Sequence, residues 1–116
     1  MNKDNINVKV KVRLVHNKPY WGPGVQDVMN GIIKGHSIKQ SSELTGISYS
    51  KTRKIIKTAE NALETDIVSS LKGGNEGGKS YVTPEGEKIM EFYKELEKAV
   101  SEFADNKCRE LINKFF

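Results

Sequence analysis

Cysteine, histidine and long apolar runs are all scarce in this chain of 116 residues. Cys108 is the single cysteine, which excludes an internal disulfide and a cysteine metal cluster and fits a reducing compartment. Neither histidine, His16 in turn-like sequence or His36 beside a helix start, has a second histidine near it, so neither reads as a metal ligand. No apolar run approaches the roughly 20 residues that cross a bilayer. The polar start, Met1-Asn2-Lys3-Asp4-Asn5, lacks the apolar segment of a signal peptide. A cytoplasmic protein without a membrane partner is expected. Solenoid-period repeats are missing too, and the length suits one domain over 1–116 with a modest core. Paired carboxylates, a metal-ligand cluster and a nucleophile beside a base are equally lacking, so an enzyme and a cofactor are not expected.

Charge is present, and its position is more informative than its total of +4. Between Lys34 and Lys57 six bases (Lys34, Lys39, Lys51, Arg53, Lys54, Lys57) face one acid, Glu43. From Pro84 onward eight acids outnumber six bases. A polyanion is therefore drawn to the middle of the chain rather than to its end.

Asn7 to Val15 alternates, with Val8, Val10, Val12 and Leu14 on one face and Lys9, Lys11 and Arg13 on the other, which predicts a half-buried strand. The exposed bases read as protection of an edge strand, with contact to phosphates as the other reading. His16-Asn17-Lys18-Pro19 supplies a turn, and Tyr20-Trp21 a short second strand before Gly22-Pro23-Gly24. Val25, Val28, Met29, Ile32 and Ile33 then form one stripe of an amphipathic helix that Gly35 ends.

Ser37 to Leu63 organises the chain. Ser37 is placed to cap a short helix, Ile38 to Thr45, whose inner face of Ile38, Ser41, Ser42 and Thr45 is small enough for close helix contact. Gly46-Ile47-Ser48 makes a tight turn, Gly46 taking the left-handed conformation and Ser48 capping a third helix. Along that helix Thr52, Ile55, Ile56, Ala59 and Leu63 point inward. Tyr49, Ser50, Lys51, Arg53, Lys54 and Lys57 point outward, and none of them is acidic. A short helix, a glycine turn and a basic helix make a helix-turn-helix pattern, whose second helix enters a DNA major groove.

Ile67 to Leu71 and Ser80 to Thr83 read as two strands joined by a glycine-rich tip, a hairpin wing with Lys72 and Lys79 at its base. The tip also satisfies G-x-x-x-x-G-K-[ST] at Gly73-Gly74-Asn75-Glu76-Gly77-Gly78-Lys79-Ser80. A phosphate-binding loop of that kind runs straight into a helix, whereas here Tyr81-Val82-Thr83 intervenes, so nucleotide binding is not expected. Thr83-Pro84-Glu85-Gly86 opens a final helix with a cap, a first-turn proline and first-turn acids. Its apolar pattern runs to Ile112, as one long helix or one broken near Ala104-Asp105-Asn106.

Five pieces in this order, Gly22-Pro23-Gly24, Gly35-His36-Ser37-Ile38, Gly46-Ile47-Ser48-Tyr49, the two glycine pairs Gly73-Gly74 and Gly77-Gly78, and Thr83-Pro84-Glu85-Gly86, carry a resemblance. From about Val8 to Val100 the chain resembles the N-terminal DNA-binding domain of the ModE family of molybdate-responsive transcriptional regulators. It departs from that family at Ser41-Ser42, where Ala-Ala is common, at Thr45, near which the family has a leucine, and at Thr52-Arg53, in place of Ala-Trp. The resemblance implies a winged helix-turn-helix that dimerises through helices outside the reading head and binds a roughly palindromic operator. The family senses molybdate in C-terminal domains, so no molybdate site is expected in this chain.

The expected architecture is α+β and mainly helical: an N-terminal strand, a helix-turn-helix at about 37–63, a wing at about 67–83 and a C-terminal dimerisation helix at about 84–115. The expected function is a homodimeric regulator of transcription on double-stranded DNA. Tyr49, Ser50, Arg53 and Lys54 are the expected base-edge contacts. Ser48, Lys51, Lys57, Lys72 and Lys79 are the expected phosphate contacts. The alternative is a winged-helix protein-interaction module without specific DNA binding.

Overall fold

In the computed structural model, which describes residues 1–71 and 78–116, the core is assembled from four helices and two small antiparallel sheets. After a single 3₁₀ turn at Lys3–Asn5, the elements are β1 (Leu14–His16), β2 (Lys18–Trp21), α1 (Pro23–Gly35), α2 (Ile38–Thr45), α3 (Tyr49–Leu63), β3 (Val68–Leu71), β4 (Lys79–Val82) and α4 (Pro84–Phe115). The mixture is α+β with helix predominating.

The N-terminal strand is shorter than its alternation predicts. Val10 and Val12 are half-buried and Lys9, Lys11 and Arg13 exposed, as the alternation predicts, but Val8 is exposed too, and only Leu14 to His16 pairs with a neighbour. The reason is the partner: β2 ends at Trp21, Gly22 caps α1 and Pro23 opens it, so no backbone remains to pair with Val8 to Arg13. Asn17, left-handed at φ 65°, is the whole turn between the strands.

Helix α1 buries Val28, Met29, Gly31 and Ile32. Gly35 does not end it by taking the left-handed conformation; His36 does, at φ 58°, its N–H donating to the Ile32 carbonyl. Gly35 is small for another reason, since a Cβ there would overlap the Gln40 side chain. Gly31 is pressed in the same way, where a Cβ would sit 2.6 Å from Ser41 Oγ. The small residues of α1 and α2 thus let the two helices touch along their backbones, and the buried Ser41 hydroxyl donates to the Val28 carbonyl at 2.7 Å.

Local capping is as expected: Ser37, Ser48 and Thr83 each accept an N–H of their helix's first turn, and Gly46 ends α2 at φ 75°. Helix α4 is unbroken through Ala104-Asp105-Asn106 and runs for 32 residues, about 48 Å at 1.5 Å per residue. Only Gly86, Met90 and Tyr93 of it are buried. The rest projects: the radius of gyration is 18.0 Å, against about 13 Å for a compact domain near this size. No helix among the described residues is long and apolar enough to cross a membrane.

Candidate nucleic-acid interface

Helix α3 stands between the two hairpins, and each holds it by a different device. On one side it packs against β2. On the other the Glu60 carboxylate accepts the backbone N–H groups of Ile67 and Val68, at 2.9 and 3.4 Å, fastening the start of β3 to the helix. The sequence marks Glu60 only as an end to the basic run; its backbone-capping role depends on a turn at Glu64, left-handed at φ 54°, that brings β3 back beside the helix.

The inner face of α3 is Thr52, Ile56 and Ala59, all buried, with Ile55 and Leu63 half-buried beside them. The expected outward residues Tyr49, Ser50, Lys51, Arg53, Lys54 and Lys57 are all exposed. Ser50, Lys54, Lys57 and Asn61, spaced four, three and four apart, form one line along the outermost surface. Tyr49 and Arg53 lie one turn apart on the flank toward β3. The Arg53 guanidinium is 5.8 Å from the Tyr49 ring centroid and donates to its hydroxyl at 3.2 Å, so each side chain limits the other's freedom. Ser48 caps the helix, its Oγ accepting the Lys51 N–H at 3.2 Å, and it is exposed.

The exposed surface of the first turns of α3, up to Lys57, is one of donors. Both ion pairs among the described residues, Lys88–Glu85 and Lys107–Glu110, are on α4, so the bases of α3 have no carboxylate partner there. Lys54 borders two of the hollows beside the helix. One, about 750 Å³, joins Ser50, Lys51 and Lys54 to Lys11 and Arg13 of the N-terminal segment. The other, about 500 Å³, joins Arg53, Lys54, Lys57 and the acid Glu60 to Val68 and Ser70 of β3. Lysine ammoniums and a forked guanidinium can hold phosphate or base acceptors. At the C-terminal end of the helix the charge reverses, where Glu60, Glu64 and Asp66 gather beside Lys57. Among the described residues no group of three or more acids, histidines or cysteines is placed to hold a metal ion.

Lys79 opens β4, opposite Leu71, and borders neither hollow. Lys72 and the glycines from Gly73 to Gly77 lie outside the described residues. Lys79 and Ser80 belong to a strand, and the next helix starts at Pro84 behind its cap Thr83. Ser80 is buried, its hydroxyl 3.1 Å from that of Ser70 and its N–H donating to the His36 carbonyl. The phosphate-loop pattern at these positions is thus not followed by the helix it needs. Lys11 and Arg13, which the sequence assigns first to edge-strand protection, line the hollow of about 750 Å³ with α3: alternation showed that they are exposed, but not that they border the helix.

No protein-family model matches the chain, and no curated protein is detectably similar to it.

Proposed function

We propose that this chain is a DNA-binding transcriptional regulator of the winged helix-turn-helix type, acting as a homodimer. In this reading α2 and α3 are the helix-turn-helix, α3 enters the major groove, and β3–β4 is the wing beside it. The observation that carries the reading is the basic ridge along the first turns of α3, from Lys51 to Lys57, which holds no acid before Glu60, is unpaired among the described residues and is raised between two hairpins. Ser50, Lys54, Arg53 and Tyr49 reach base edges; Lys51, Lys57, Ser48 and Lys79 hold phosphates. The ModE-like motifs support the same assignment. The α4 segment beyond Tyr93, with Phe103 69% exposed and Phe115 68% exposed, is the surface that a second copy covers.

The test is a titration of selected duplexes at low salt. Arg53→Ala should cost about 1–3 kcal/mol on its preferred sequence, whereas Lys57→Ala should weaken all sequences alike. Unchanged affinity in both variants would sink the proposal. The exposed apolar face of α4 favours a second reading, a winged-helix module that pairs with proteins and not DNA. Salt separates them: duplex binding that falls steeply with added salt supports the first, and its absence supports the second.

A further inference from the structure

We infer that the N-terminal segment from Lys9 to Arg13 is a second phosphate-holding arm, through Lys11 and Arg13, on the opposite side of α3 from the β3–β4 hairpin. This rests on the DNA-binding reading and extends it to residues outside the helix-turn-helix and wing. Four cations, Lys11, Arg13, Lys51 and Lys54, border one open cleft of about 750 Å³, and no acid borders it. None of the four has a carboxylate partner among the described residues. Like charges brought together without counter-charge repel, and a polyanion laid along the cleft relieves that repulsion.

The arm is not a loose tail. Val12 and Leu14 pack on the core, and the Tyr93 hydroxyl, from α4, donates to the Val12 carbonyl at 2.7 Å. Arg13 lays its stem beside Gly22, where a Cβ would be 3.5 Å from Arg13 Cγ. Anchored backbone and stem mean that fewer rotatable bonds must be ordered when a phosphate arrives. The bases also do not protect a sheet edge, because Lys9, Lys11 and Arg13 precede the paired strand β1. Continuity favours a polymer over a small anion: Lys54 borders this cleft and also the hollow with Arg53 and Lys57, so the basic track passes over α3 from one hairpin to the other.

The experiment measures binding to a mixed-sequence duplex pool as a function of salt, comparing wild type with Lys11→Gln/Arg13→Gln, which keeps the side-chain stems. Two lost phosphate contacts should lower the slope of log K against log salt by about 1.8, at about 0.9 per contact. The order of preferred sequences should not change, because phosphate contacts carry no sequence information directly. Lys98→Gln, on the projecting part of α4, should keep the wild-type slope. Steep wild-type dependence with an unchanged slope in the double variant would overturn the arm alone. Wild type without salt-dependent duplex binding would overturn the DNA reading and this inference with it. Matched circular dichroism and melting of the two proteins exclude misfolding as the cause of a smaller slope.

Discussion

Tyr93 shows how much a single side chain settles here. It is 1% exposed, and its hydroxyl ties α4 to the N-terminal arm at Val12 while approaching the Glu97 carboxylate at 3.4 Å. Burial, then the charge and hydrogen bond of Glu97, push the phenol above its ordinary value of 10.0, and Arg13 pulls it partly back. The folded value therefore lies above the unfolded one, and the neutral phenol is the form that folding holds. Its contribution is fully present below pH about 10 and is lost as pH rises through the raised folded value. Tyr93→Phe should cost about 1–3 kcal/mol at neutral pH, since it leaves the Val12 carbonyl without its partner. Urea midpoints followed from neutral to alkaline pH should also fall less in the variant than in wild type. An equal alkaline loss in both proteins would show that Tyr93 is not the titrating group.

Between elements, contact depends on what is missing from side chains. Gly31 of α1 meets Ser41 of α2 so closely that a Cβ would lie 3.0 Å from Ser41 Cα as well as against its hydroxyl. In Gly31→Ala the helix gains up to about 1 kcal/mol of propensity, whereas overpacking two backbones costs about 1–3 kcal/mol. The second effect wins, because the obstacle includes backbone that cannot rotate away. A lower urea midpoint with an unchanged m-value is the expected outcome; a raised midpoint would mean that α1 and α2 separate freely. Sequence reasoning anticipated the close contact from the small face of α2, Ser41 and Ser42, but not its partner. Gly31 lies inside a helical stripe and carries no local mark of the helix it touches. His36 is the converse case. As expected, α1 ends at Gly35, yet a Cβ at Gly35 would meet Gln40 and the left-handed position passes to the histidine.

At the scale of the whole molecule the projecting half of α4 is the anomaly. Beyond Tyr93 none of its residues is buried, yet Leu96, Val100, Phe103, Leu111 and Phe115 recur near helical spacing. An isolated helix of this kind gains little without a partner face, because most helix stability in proteins comes from packing. On the proposed homodimer, Phe103→Glu places a charge in the buried stripe and should shift sedimentation from dimer to monomer. It should leave the melting of the part that holds Met90 and Tyr93 recognisable. Such a monomer should also bind a two-half-site duplex more weakly than wild type while keeping its contacts to one half-site. A wild-type protein that sediments as a monomer at all concentrations would remove the homodimer from the proposal.

The sequence alone determined the features whose causes are local: the capping serines and threonine, the left-handed Gly46, the proline that opens α4, the inner and outer faces of α3 and the excess of positive charge around them. Each of these depends on residues within one or two turns, so spacing suffices to read it. Tertiary structure decided what depends on distant backbone. It shortened β1, because β2 stops at Trp21. It turned Glu60 toward Ile67 and Val68, joined Gln26 to the Met90 carbonyl and Tyr93 to the Val12 carbonyl, and brought Lys11 and Arg13 to the flank of α3. Those pairings close long loops, and no periodicity within one segment records which distant segment will meet it.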